Sequence, residues 1–562
     1  MLKKWQIYET NEEEIEELTN KYKINKLLAT ILSNRGINKK EDIDLFLYPK
    51  RNDFHNPYDM PDMEKAVERI IKAKENNEKI IIYGDYDVDG ITSITVLKSF
   101  LKDIGIEASY YIPNRLNEGY GLNIPAVEKI AGEGYNLMIT VDCGITCIEE
   151  INKANELGMD VIVTDHHEVG DSLPNAIAVV DCKRKDNKYK CRDLAGVGVA
   201  FKLSQALAMK LGIEEKEYLK YLDIVCIGTI SDIVPLVDEN RVISKLGLML
   251  VNQTKNIGLK AILNISGYKN IDSTAVSFGI APRLNACGRM GHADEALKLF
   301  LSNNINEVNE IANQLNEYNK IRQNIEKSIY EDAIKQIEEK NLENNKTIVV
   351  SGKEWHHGVI GIVSSKITEM FFKPSILLCL EEGLAKGSGR SVPGFDLHEA
   401  LLKCQNSLEK FGGHAMAVGL TLKEKSIPEF NKKLEEVAEE AHIEDIVPVI
   451  KIDAKINLNE VTKEMVESLK MLEPFGEANK MPVFVYKNLK IDSIRALSEG
   501  KHLKLTLKDQ NVIVNAIGFN MGNLAEDYRI GDKIDAVGTL EINSFNGVDS
   551  IQINLKDIMK SI

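Results

Sequence analysis

Apolar and polar residues alternate in the first half of the chain in the way that strands followed by helices do. The apolar run at 79–83 predicts a buried parallel strand, and residues 63–76 have apolar positions at helical spacing. Further short apolar runs separated by helical stretches predict more strands of the same sheet. These runs are 108–112, 137–141, 161–163 and 176–180. Such an alternation predicts a parallel sheet covered by helices on both faces.

The pattern changes three times in the second half. Residues 305–340 contain no Gly or Pro, and their apolar spacing predicts one helix, about 54 Å long at 1.5 Å per residue, that connects two domains. Residues 346–447 predict a second α/β unit. From residue 448 onward, short alternating segments separated by turn residues predict a small β-barrel. Residues 1–60 predict a small helical lead.

The strand at 79–83 leads into the acidic motif Asp85-Tyr86-Asp87-Val88-Asp89-Gly90. We expect its three aspartates to project from one face of an extended backbone, Gly90 to turn the chain, and a helix to open at Thr92 or Ser93. Anions packed this closely repel one another unless a cation neutralises them. Oxygen ligands favour Mg²⁺ or Mn²⁺. A solvated acidic loop or a Ca²⁺ site is the alternative, although EF-hand loops lie between two helices.

Other apolar runs also end in Asp or His. Asp142-Cys143-Gly144 and Asp165-His166-His167 follow predicted strands, and Asp232 follows the apolar run 222–228. A single aspartate after a strand often caps a helix, but four such ends in one sheet would converge on one crevice. Imidazole together with carboxylates suits Mn²⁺, and two ions sharing a bridging carboxylate suit phosphoester hydrolysis.

Composition limits the class of protein. The 562 residues predict three or four domains, and the formal charge of −15 argues against a nonspecific nucleic-acid coat without excluding a local basic groove. The start has no apolar signal segment, and no run is long enough to span a bilayer. The eight cysteines form no Cys-x-x-Cys pair, which predicts reduced thiols and a cytoplasmic protein. Zinc on Cys143, Cys147, Cys182 and Cys191 is an alternative to small buried residues.

The acidic motif, Asp142-Cys143-Gly144, Asp165-His166-His167 and Asp232 together resemble the DHH phosphoesterases. Residues 194–201 and 282–289 narrow the resemblance to the RecJ single-stranded-DNA exonucleases, and it covers nearly the whole chain. Tyr83 stands where related inorganic pyrophosphatases carry a ligand histidine, which argues against that branch. Gly196-x-Gly198 lacks the third glycine of a dinucleotide-binding turn, and we interpret it as close helix packing.

The resemblance implies an α/β protein. Its parallel-sheet DHH domain is joined by a long helix to a second α/β domain, called DHHA1, and a C-terminal OB-like β-barrel follows. The predicted bounds are 1–60 for the helical lead, 61–304 for the DHH phosphoesterase domain, 305–345 for the connector helix, 346–447 for the DHHA1 substrate-binding domain and 448–562 for the OB-fold single-strand-binding domain.

The resemblance also implies roles for particular residues. The implied metal ligands are Asp87, Asp89, Asp142, His166 and Asp232. The implied catalytic groups are Asp85, His167 and Arg289. The implied substrate-binding residues are Arg115, Tyr120, Arg283, Asn285, Ser388, Arg390 and His414. The last three lie in the glycine-rich patches 386–391 and 411–414, which either bring N–H groups and cations close to a phosphate or are merely a pair of tight turns.

The predicted barrel carries basic residues among aromatic ones. This mixture suits single-stranded nucleic acid on an OB-fold, although a plain barrel with solvated lysines would look the same. The basic residues are Lys487, Lys490, Arg495, Lys501, Lys504 and Lys508, and the aromatic ones are Tyr486, Phe519 and Phe545. Phe545 stands where the family is expected to have a tryptophan.

Residues alone support a two-metal phosphoesterase with a strand-binding appendage. The resemblance implies more: a 5′-to-3′ exonuclease with two Mn²⁺ or Mg²⁺ ions that releases 5′-mononucleotides from single-stranded DNA in repair and recombination. It implies single-strand-binding protein and a helicase as further partners, no membrane, and a monomer. The alternatives are an oligoribonuclease or cyclic-dinucleotide phosphodiesterase of the same superfamily, and a non-catalytic DNA-binding scaffold.

Overall fold

The chain folds into two compact units. The computed structural model describes residues 3–115, 117–545 and 547–561, without the side chain of Phe545. One unit comprises residues 56–232 and 250–448, and the other comprises residues 1–55, 233–249 and 449–562. Among the described residues, no helix has the length and apolar character needed to cross a lipid bilayer. All eight cysteines are free thiols.

The strands are numbered along the chain. They are β1 (Lys4–Ile7), β2 (Ile80–Gly84), β3 (Ala108–Tyr111), β4 (Leu137–Val141), β5 (Asp160–Asp165), β6 (Ala178–Asp181), β7 (Ile348–Gly352), β8 (Ser375–Glu381), β9 (Leu384–Arg390), β10 (Lys410–His414), β11 (Ala417–Lys423), β12 (Val449–Ile452), β13 (Ala454–Lys455), β14 (Phe484–Leu497), β15 (His502–Asp509), β16 (Val512–Gly518), β17 (Lys533–Phe545) and β18 (Val548–Lys560).

The α-helices are numbered in the same way. They are α1 (Glu12–Tyr22), α2 (Lys26–Asn34), α3 (Lys40–Leu47), α4 (Met63–Glu75), α5 (Val88–Asp103), α6 (Ile124–Gly132), α7 (Ile148–Glu156), α8 (Gly196–Leu211), α9 (Lys216–Leu219), α10 (Leu222–Ser231), α11 (Asp238–Val251), α12 (Ile257–Ser266), α13 (Ser273–Ala275), α14 (Ala281–Arg289), α15 (Ala293–Leu301), α16 (Ile305–Glu339), α17 (His357–Phe371), α18 (Leu397–Lys403), α19 (Ile427–Glu440) and α20 (Lys463–Ser468).

The first sheet has the order β3-β2-β4-β5-β6, and every neighbouring pair is parallel. Strands β2 and β4 are buried along their whole length, as expected for a parallel sheet covered on both faces. The predicted parallel α/β sheet is therefore confirmed. Because the strands are parallel, their carboxyl ends all lie at one edge, where open α/β sheets bind ligands.

The acidic motif leaves the strand earlier than predicted. Helix α5 begins at Val88 instead of Thr92 or Ser93, since Asp87 caps it by accepting hydrogen bonds from the N–H groups of Asp89 (2.9 Å) and Gly90 (3.1 Å). Asp89 consequently lies in the first turn of the helix. The expectation that three aspartates share one strand face was wrong, because a side-chain cap from Asp87 outweighs continued extension.

The apolar run at 222–228 is also not a strand. It belongs to α10, a helix whose residues are buried on all sides, so its composition resembles that of a buried strand. Asp232 therefore follows a helix and does not extend a strand of the sheet.

The second sheet has the order β10-β11-β9-β8-β7 and mixes parallel and antiparallel pairs. The helix predicted over 305–340 is α16. Both glycine-rich patches lie mainly on strands, β9 and β10, so the interpretation as tight turns was wrong. In β9 the glycines serve packing, since a Cβ on Gly387 would come within 2.6 Å of Leu378.

The second unit contains a closed barrel. Its strands have the order β13-β14-β15-β16-β18-β17, and an additional pairing between β14 and β17 closes the barrel. Strand β1 pairs in parallel with β12. Apolar side chains of the helical lead, such as Leu28 and Ile31, share one core with barrel residues such as Phe484 and Leu505. Tyr486 lies fully inside the barrel, so its proposed role as an exposed stacking platform was wrong.

One buried arginine joins three segments of the barrel-containing unit. Arg241 on α11 donates from Nε to the carbonyl of Phe46 (2.6 Å) and from Nη2 to those of Leu472 and Glu473 (both 3.1 Å). Its guanidinium carbon lies 3.5 Å from the ring centre of Phe46. Burial lowers the pKa of Arg241 to about 9. The arginine thus donates to carbonyls of two other segments, and the carbonyl of Leu472 also accepts from Nδ2 of Asn479 at 2.8 Å.

We predict that Arg241→Met lowers the free energy of unfolding by about 1–3 kcal/mol, because the buried carbonyl of Phe46 loses this donor and an unsatisfied buried polar group costs that much. Urea unfolding monitored by circular dichroism measures the change. Arg529→Met, an exposed position in the same unit, is the matched control and should change stability little. Equal stability of the two variants would show that Arg241 is dispensable.

Candidate active site

The acidic motif turns tightly against itself at the end of β2. A Cβ on Gly90 would lie 2.4 Å from the carbonyl oxygen of Asp85, so only glycine fits this position without moving the backbone. The turn buries Asp85, which is 2% exposed, and Asp89 beside it. The side-chain amide of Asn285 supports the turn, because its oxygen accepts from the N–H of Val88 at 3.3 Å.

Asp165, the last residue of β5, organises the two histidines that follow it. Its Oδ1 accepts from Nδ1 of His167 (2.7 Å) and from the N–H of His166 (2.8 Å), and its Oδ2 accepts from the N–H of Ile145 (2.9 Å). Burial alone would lower the pKa of His167, but the bond to Asp165 raises it. Asp165 therefore fixes the ring of His167 and the backbone of His166, a role that we did not predict for this motif residue.

The structure gathers the predicted metal ligands, together with the predicted catalytic residue Asp85, into two adjacent groups. Within each group, one potential ligand atom per residue lies within 4.8 Å of the others. The first group is Asp89, His166 and Asp232, and the second is Asp85, Asp87 and Asp142. The two groups meet where Nε2 of His166 lies 3.1 Å from Oδ1 of Asp142.

Asp142 holds its place through an unusual backbone conformation. It has a φ of 59°, in the left-handed region that few residues other than Gly, Asn and Asp adopt. A turn of this kind at the end of β4 directs the carboxylate toward His166 and Asp89. Asp142 and His166 also form a cluster with Asp165 and His167, in which one potential ligand atom per residue lies within 4.8 Å of the others.

Burial is the main reason that the pKa values of these carboxyls rise. Burial and then repulsion from Asp87 raise the pKa of Asp89 to about 7. Burial and neighbouring aspartates likewise raise the pKa values of Asp142 and Asp232 well above the usual range. Burial, followed by the charge of His167, lowers the pKa of His166 to about 3, so its imidazole is neutral. Such a site retains protons that divalent cations displace on binding.

Two buried atoms show that the donors fit metal ions. Oδ1 of Asp85 and Nε2 of His166 are both buried without a hydrogen-bond partner, because the 3.1 Å approach of His166 to Asp142 lacks hydrogen-bond geometry. Buried polar atoms are normally satisfied, and an ion is one recognised explanation for an exception. The donor set of carboxylates and one neutral imidazole suits Mn²⁺ or Mg²⁺.

A backbone contact to the first ligand group was missed by the sequence reasoning. The N–H groups of Gly196 and Val197, at the start of α8, donate to the two carboxylate oxygens of Asp89 at 2.6 and 2.8 Å. The Gly196-x-Gly198 pattern therefore does more than allow close helix packing. The one feature of the sequence that could have indicated this contact is Gly196 at the start of a helix.

Two arginines, one after β3 and one on α14, lie near the acidic motif. Arg115, which follows β3, has its guanidinium carbon 5.0 Å from the ring centre of Tyr86, within the motif. Arg289, the last residue of α14, donates from Nη1 to the carbonyl of Gly358 at 2.8 Å. Burial, followed by repulsion from cations that include Arg115 and Arg390, lowers the pKa of Arg289 to about 10. A group of like charges this close favours an anionic ligand.

Ser388 and Arg390 belong to the same cationic group. Nη1 of Arg390 donates to Oγ of Ser388 at 3.1 Å, and both residues project from β9 toward α17. A Cβ on Gly361 of α17 would lie 3.0 Å from Oγ of Ser388, so this glycine leaves room for the pair. Burial and then repulsion from Arg115 lower the pKa of Arg390.

The sequence reasoning missed two further side chains near this group, the cation Arg322 and the neutral ring of His356. Arg322 on α16 repels Arg289, and its Nη2 donates to Oδ1 of Asn319 at 2.7 Å. His356 caps α17 by accepting from the N–H of Gly358 at 3.1 Å, and burial followed by repulsion from Arg115 lowers its pKa. Nothing in the polar pattern of α16 distinguishes Arg322, whereas His356 lies in a recognisable motif before an apolar helix.

The remaining predicted residues lie in different surroundings. The hydroxyl of Tyr120 is 3.2 Å from a ring nitrogen of His167, and the ring is 53% exposed beside the metal-ligand groups. Arg283 instead donates to Asn316 (3.0 Å) and to the carbonyl of Gly279, contacts that hold helices together. His414 lies at the exposed end of β10, in register with Ala417.

The barrel presents cations in pairs on its outer face. The register between β14 and β15 places Lys490 opposite Lys508 and Arg495 opposite Lys504. Like charges directly opposite one another are destabilising, so this face favours an anionic ligand. Near its end, the rings of Phe519 and His502 lie 5.3 Å apart, and Phe519 is 53% exposed. Lys487 is paired with Asp535 at 2.6 Å, and the Phe545 side chain lies outside the described residues.

Three stretches of the chain match known protein families. Residues 79–229 match the N-terminal domain of the DHH family, residues 344–440 the DHHA1 domain, and residues 452–557 the RecJ OB domain. With the carboxylate and imidazole groups at the sheet edge, these matches define a metal-dependent phosphoesterase of the DHH class.

Individual relatives narrow this class. The chain is 40% identical over 560 residues to the single-stranded-DNA-specific exonuclease RecJ of Bacillus subtilis, a match that covers 99% of this chain and 70% of that protein. The Mn²⁺ complex of RecJ from Thermus thermophilus matches with a TM-score of 0.86 at 30% identity, covering 100% of this chain and 80% of that one. Its Mg²⁺ complex matches with a TM-score of 0.80 at 28% identity, covering 100% and 79%. The chain belongs to the RecJ family.

We predict that Asp142→Asn abolishes hydrolysis while leaving the affinity for DNA intact. Asparagine tolerates the left-handed backbone at this position, so the change removes a ligand charge without straining the turn. The lost charge is itself repulsive to phosphate. Turnover and DNA binding in Mn²⁺ measure the two effects, with exposed Asp171→Asn as control. Substantial turnover by Asp142→Asn would contradict the assignment of this residue.

Proposed function

We propose that this protein is a metal-dependent exonuclease that hydrolyses phosphodiester bonds of single-stranded DNA from the 5′ end and releases 5′-mononucleotides. The observation that carries the proposal is the pair of adjacent ligand groups, which meet where His166 lies 3.1 Å from Asp142. The relatives are named as single-stranded-DNA-specific exonucleases, which supports the same substrate. Repair and recombination are the processes in which such an activity serves.

The proposed metal site uses side chains from both groups. Asp87, Asp89, Asp142, His166 and Asp232 would hold two Mn²⁺ or Mg²⁺ ions, and Asp142 is the candidate bridging carboxylate because it lies next to both groups. When bound, two such ions supply an activated water and stabilise the leaving oxygen of a phosphodiester. Asp85, whose Oδ1 is buried without a hydrogen-bond partner, would complete the second group.

His167 and Tyr120 are proposed to contact the substrate near the metals. Asp165 holds Nδ1 of His167 and raises its pKa, so the ring carries a proton more readily than free imidazole. A protonated ring in this position is suited to donate a hydrogen bond to a phosphate oxygen. The exposed ring of Tyr120 packs edge-on against His167, with centroids 5.8 Å apart, and would confine the nucleotide at the mouth of the site.

The cationic group is proposed to recognise the 5′ end. A terminal phosphate monoester carries more charge than an internal diester and has one more free oxygen. Arg115, Arg289 and Arg390 together with Ser388 offer converging donors near the acidic motif. Arginine suits this role because its planar fork binds phosphate with two hydrogen bonds. Recognition of the end is what makes the enzyme an exonuclease.

The outer face of the barrel is proposed to bind the strand further from the cut. Its paired cations neutralise phosphates, and exposed Phe519 offers a ring on which a base can stack. Arg283 and His414 remain predicted substrate contacts, although Arg283 is engaged in structural hydrogen bonds. Asn285 acts indirectly, through the turn of the acidic motif.

The proposal also covers the domain organisation, the oligomeric state and the protein partners. The domain bounds predicted from the sequence, a monomeric state, and partnership with single-strand-binding protein and a helicase belong to it. A cytoplasmic location agrees with eight free thiols, since oxidising compartments favour disulfides.

The products formed from 5′-labelled oligonucleotides, with and without Mn²⁺, test the activity. The proposal predicts labelled 5′-mononucleotide as the first product from single-stranded DNA, and none after chelation. Activity confined to RNA oligomers or cyclic dinucleotides would favour another DHH phosphodiesterase. DNA binding without hydrolysis would favour a scaffold.

We predict that Arg390→Ala removes most of the preference for 5′-phosphorylated over 5′-hydroxyl strands. A charged hydrogen bond contributes about 1.5–3 kcal/mol, or roughly 10- to 150-fold in kcat/KM. Kinetics on the two matched substrates measure the preference. Arg283→Ala, whose guanidinium bonds elsewhere, should retain it. A wild-type preference in Arg390→Ala would place end recognition outside this group.

We predict that Arg495→Gln combined with Lys504→Gln weakens binding of long single strands and reduces its salt dependence. Each lost phosphate contact lowers the slope of log affinity against log salt by about 0.7. Point variants suit this test better than truncation, because the barrel shares its core with the helical lead. Lys432→Gln with Lys433→Gln on α19 makes the same change in net charge elsewhere. Identical slopes for both double variants would show that the barrel face does not bind the strand.

A further inference from the structure

The first turn of α8 lacks a capping side chain of its own. Its N-cap residue is Ala195, which makes no side-chain cap, although helices normally begin with Ser, Thr, Asp or Asn. The first intrahelical bond runs from the N–H of Val199 to the carbonyl of Ala195. The N–H groups of Gly196 and Val197 precede it and therefore need another acceptor.

Asp89 of α5 supplies that acceptor. Its Oδ2 accepts from Gly196 at 2.6 Å and its Oδ1 from Val197 at 2.8 Å, so each carboxylate oxygen is held by one N–H group. Because the N-terminus of a 16-residue helix carries partial positive charge, the same contact favours the carboxylate electrostatically. These two bonds orient the Asp89 carboxylate from the protein's own backbone.

Gly196 also determines where Asp142 can lie. A Cβ at position 196 would come within 2.6 Å of the Cβ and 2.7 Å of Oδ1 of Asp142, closer than real side chains approach. The Cβ of Asp142 is attached to a backbone already constrained to φ 59°, so it cannot move aside by rotating the side chain. Asp89 and Asp142 can therefore lie side by side only if residue 196 has no side chain, as glycine does.

Helix α10, which Asp232 follows, meets the same junction. Gly228 lies one turn before Asp232 on α10, and a Cβ there would come within 2.2 Å of Oγ1 of Thr92 on α5 and 2.7 Å of Val197 on α8. Helices α5, α8 and α10 therefore pack so closely at Gly228 that no larger residue fits there. Their spacing sets the distance between Asp89 and Asp232.

We propose that the start of α8 is a positioning element for the metal site: the N–H groups of Gly196 and Val197 orient Asp89, and the missing side chain of Gly196 admits Asp142 beside it. Neither residue is among the proposed metal ligands. The inference rests on the proposed metal site, whose own failure would appear separately as a lack of Mn²⁺ binding by the wild-type protein.

Mn²⁺ binding by the full-length Gly196→Ala protein tests the proposal, with free Mn²⁺ quantified by electron paramagnetic resonance. Loss of support behind a metal ligand typically costs about 10–100-fold in metal affinity, and we expect a loss in that range. Gly198→Ala is the matched control, because a Cβ there would lie 3.3 Å from Leu194 and near no ligand. Affinity for single-stranded DNA without metal should be unchanged in both. Equal Mn²⁺ affinity of the two variants would overturn the proposal.

A second measurement on the wild-type protein decides the matter if Gly196→Ala does not fold. Amide hydrogen exchange at Gly196 and Val197 reports their bonds to Asp89, since these N–H groups precede the first intrahelical bond. We expect both amides to exchange slowly in the metal-free protein and equally slowly with Mn²⁺. Fast exchange that slows only when Mn²⁺ is added would overturn the proposal, because the carboxylate would then not be oriented in advance.

Discussion

Repulsion among buried carboxylates is the constraint on which the rest of the structure depends. The parallel sheet brings Asp85, Asp142 and Asp165 to one edge, and two helices add Asp89 and Asp232. Water cannot screen these charges, and the pKa values rise accordingly. The fold offsets part of the cost with N–H groups aimed at Asp89, Asp87 and Asp165, and it leaves the remainder for cations to neutralise.

The arginine group and the outer face of the barrel likewise bring like charges together, but these charges are positive. Arginines from four segments of the chain repel one another near the acidic motif, and the barrel places lysines and arginines opposite each other across two strands. Neither arrangement stabilises the folded chain by itself, since like charges close together cost energy. Both gain from a polyanion. Metal cations therefore relieve the repulsion among the carboxylates, and a nucleic-acid strand relieves the repulsion among the arginines and lysines.

Much of this site could be predicted from the sequence because it follows a regular sheet. Buried strands can be recognised in the sequence as apolar runs. A charged residue directly after such a run is easily identified, as at Asp85, Asp142 and Asp165. Asp232 was found for the wrong reason, since a fully buried helix and a buried strand have the same composition. The early start of α5 was missed because it depends on one side-chain cap by Asp87.

Features created by tertiary approach could not be predicted. Tyr486 looks like a platform beside lysines, yet the pleat turns it into the barrel core. The glycines of β9 look like turns, yet they make room for Leu378, Leu420 and Val418 on neighbouring strands. The contact of α8 with Asp89 joins residues more than a hundred positions apart. Periodicity describes one element at a time and carries no information about such distances.

The most direct test of the account is the electron paramagnetic resonance spectrum of the full-length protein with two equivalents of Mn²⁺. Ligand groups that meet at Asp142 and His166 predict two ions close enough for their spins to couple, so the spectrum should show an exchange-coupled pair. A spectrum of one bound ion, or of two magnetically isolated ions, would contradict the central claim that these carboxylates form a single two-metal site.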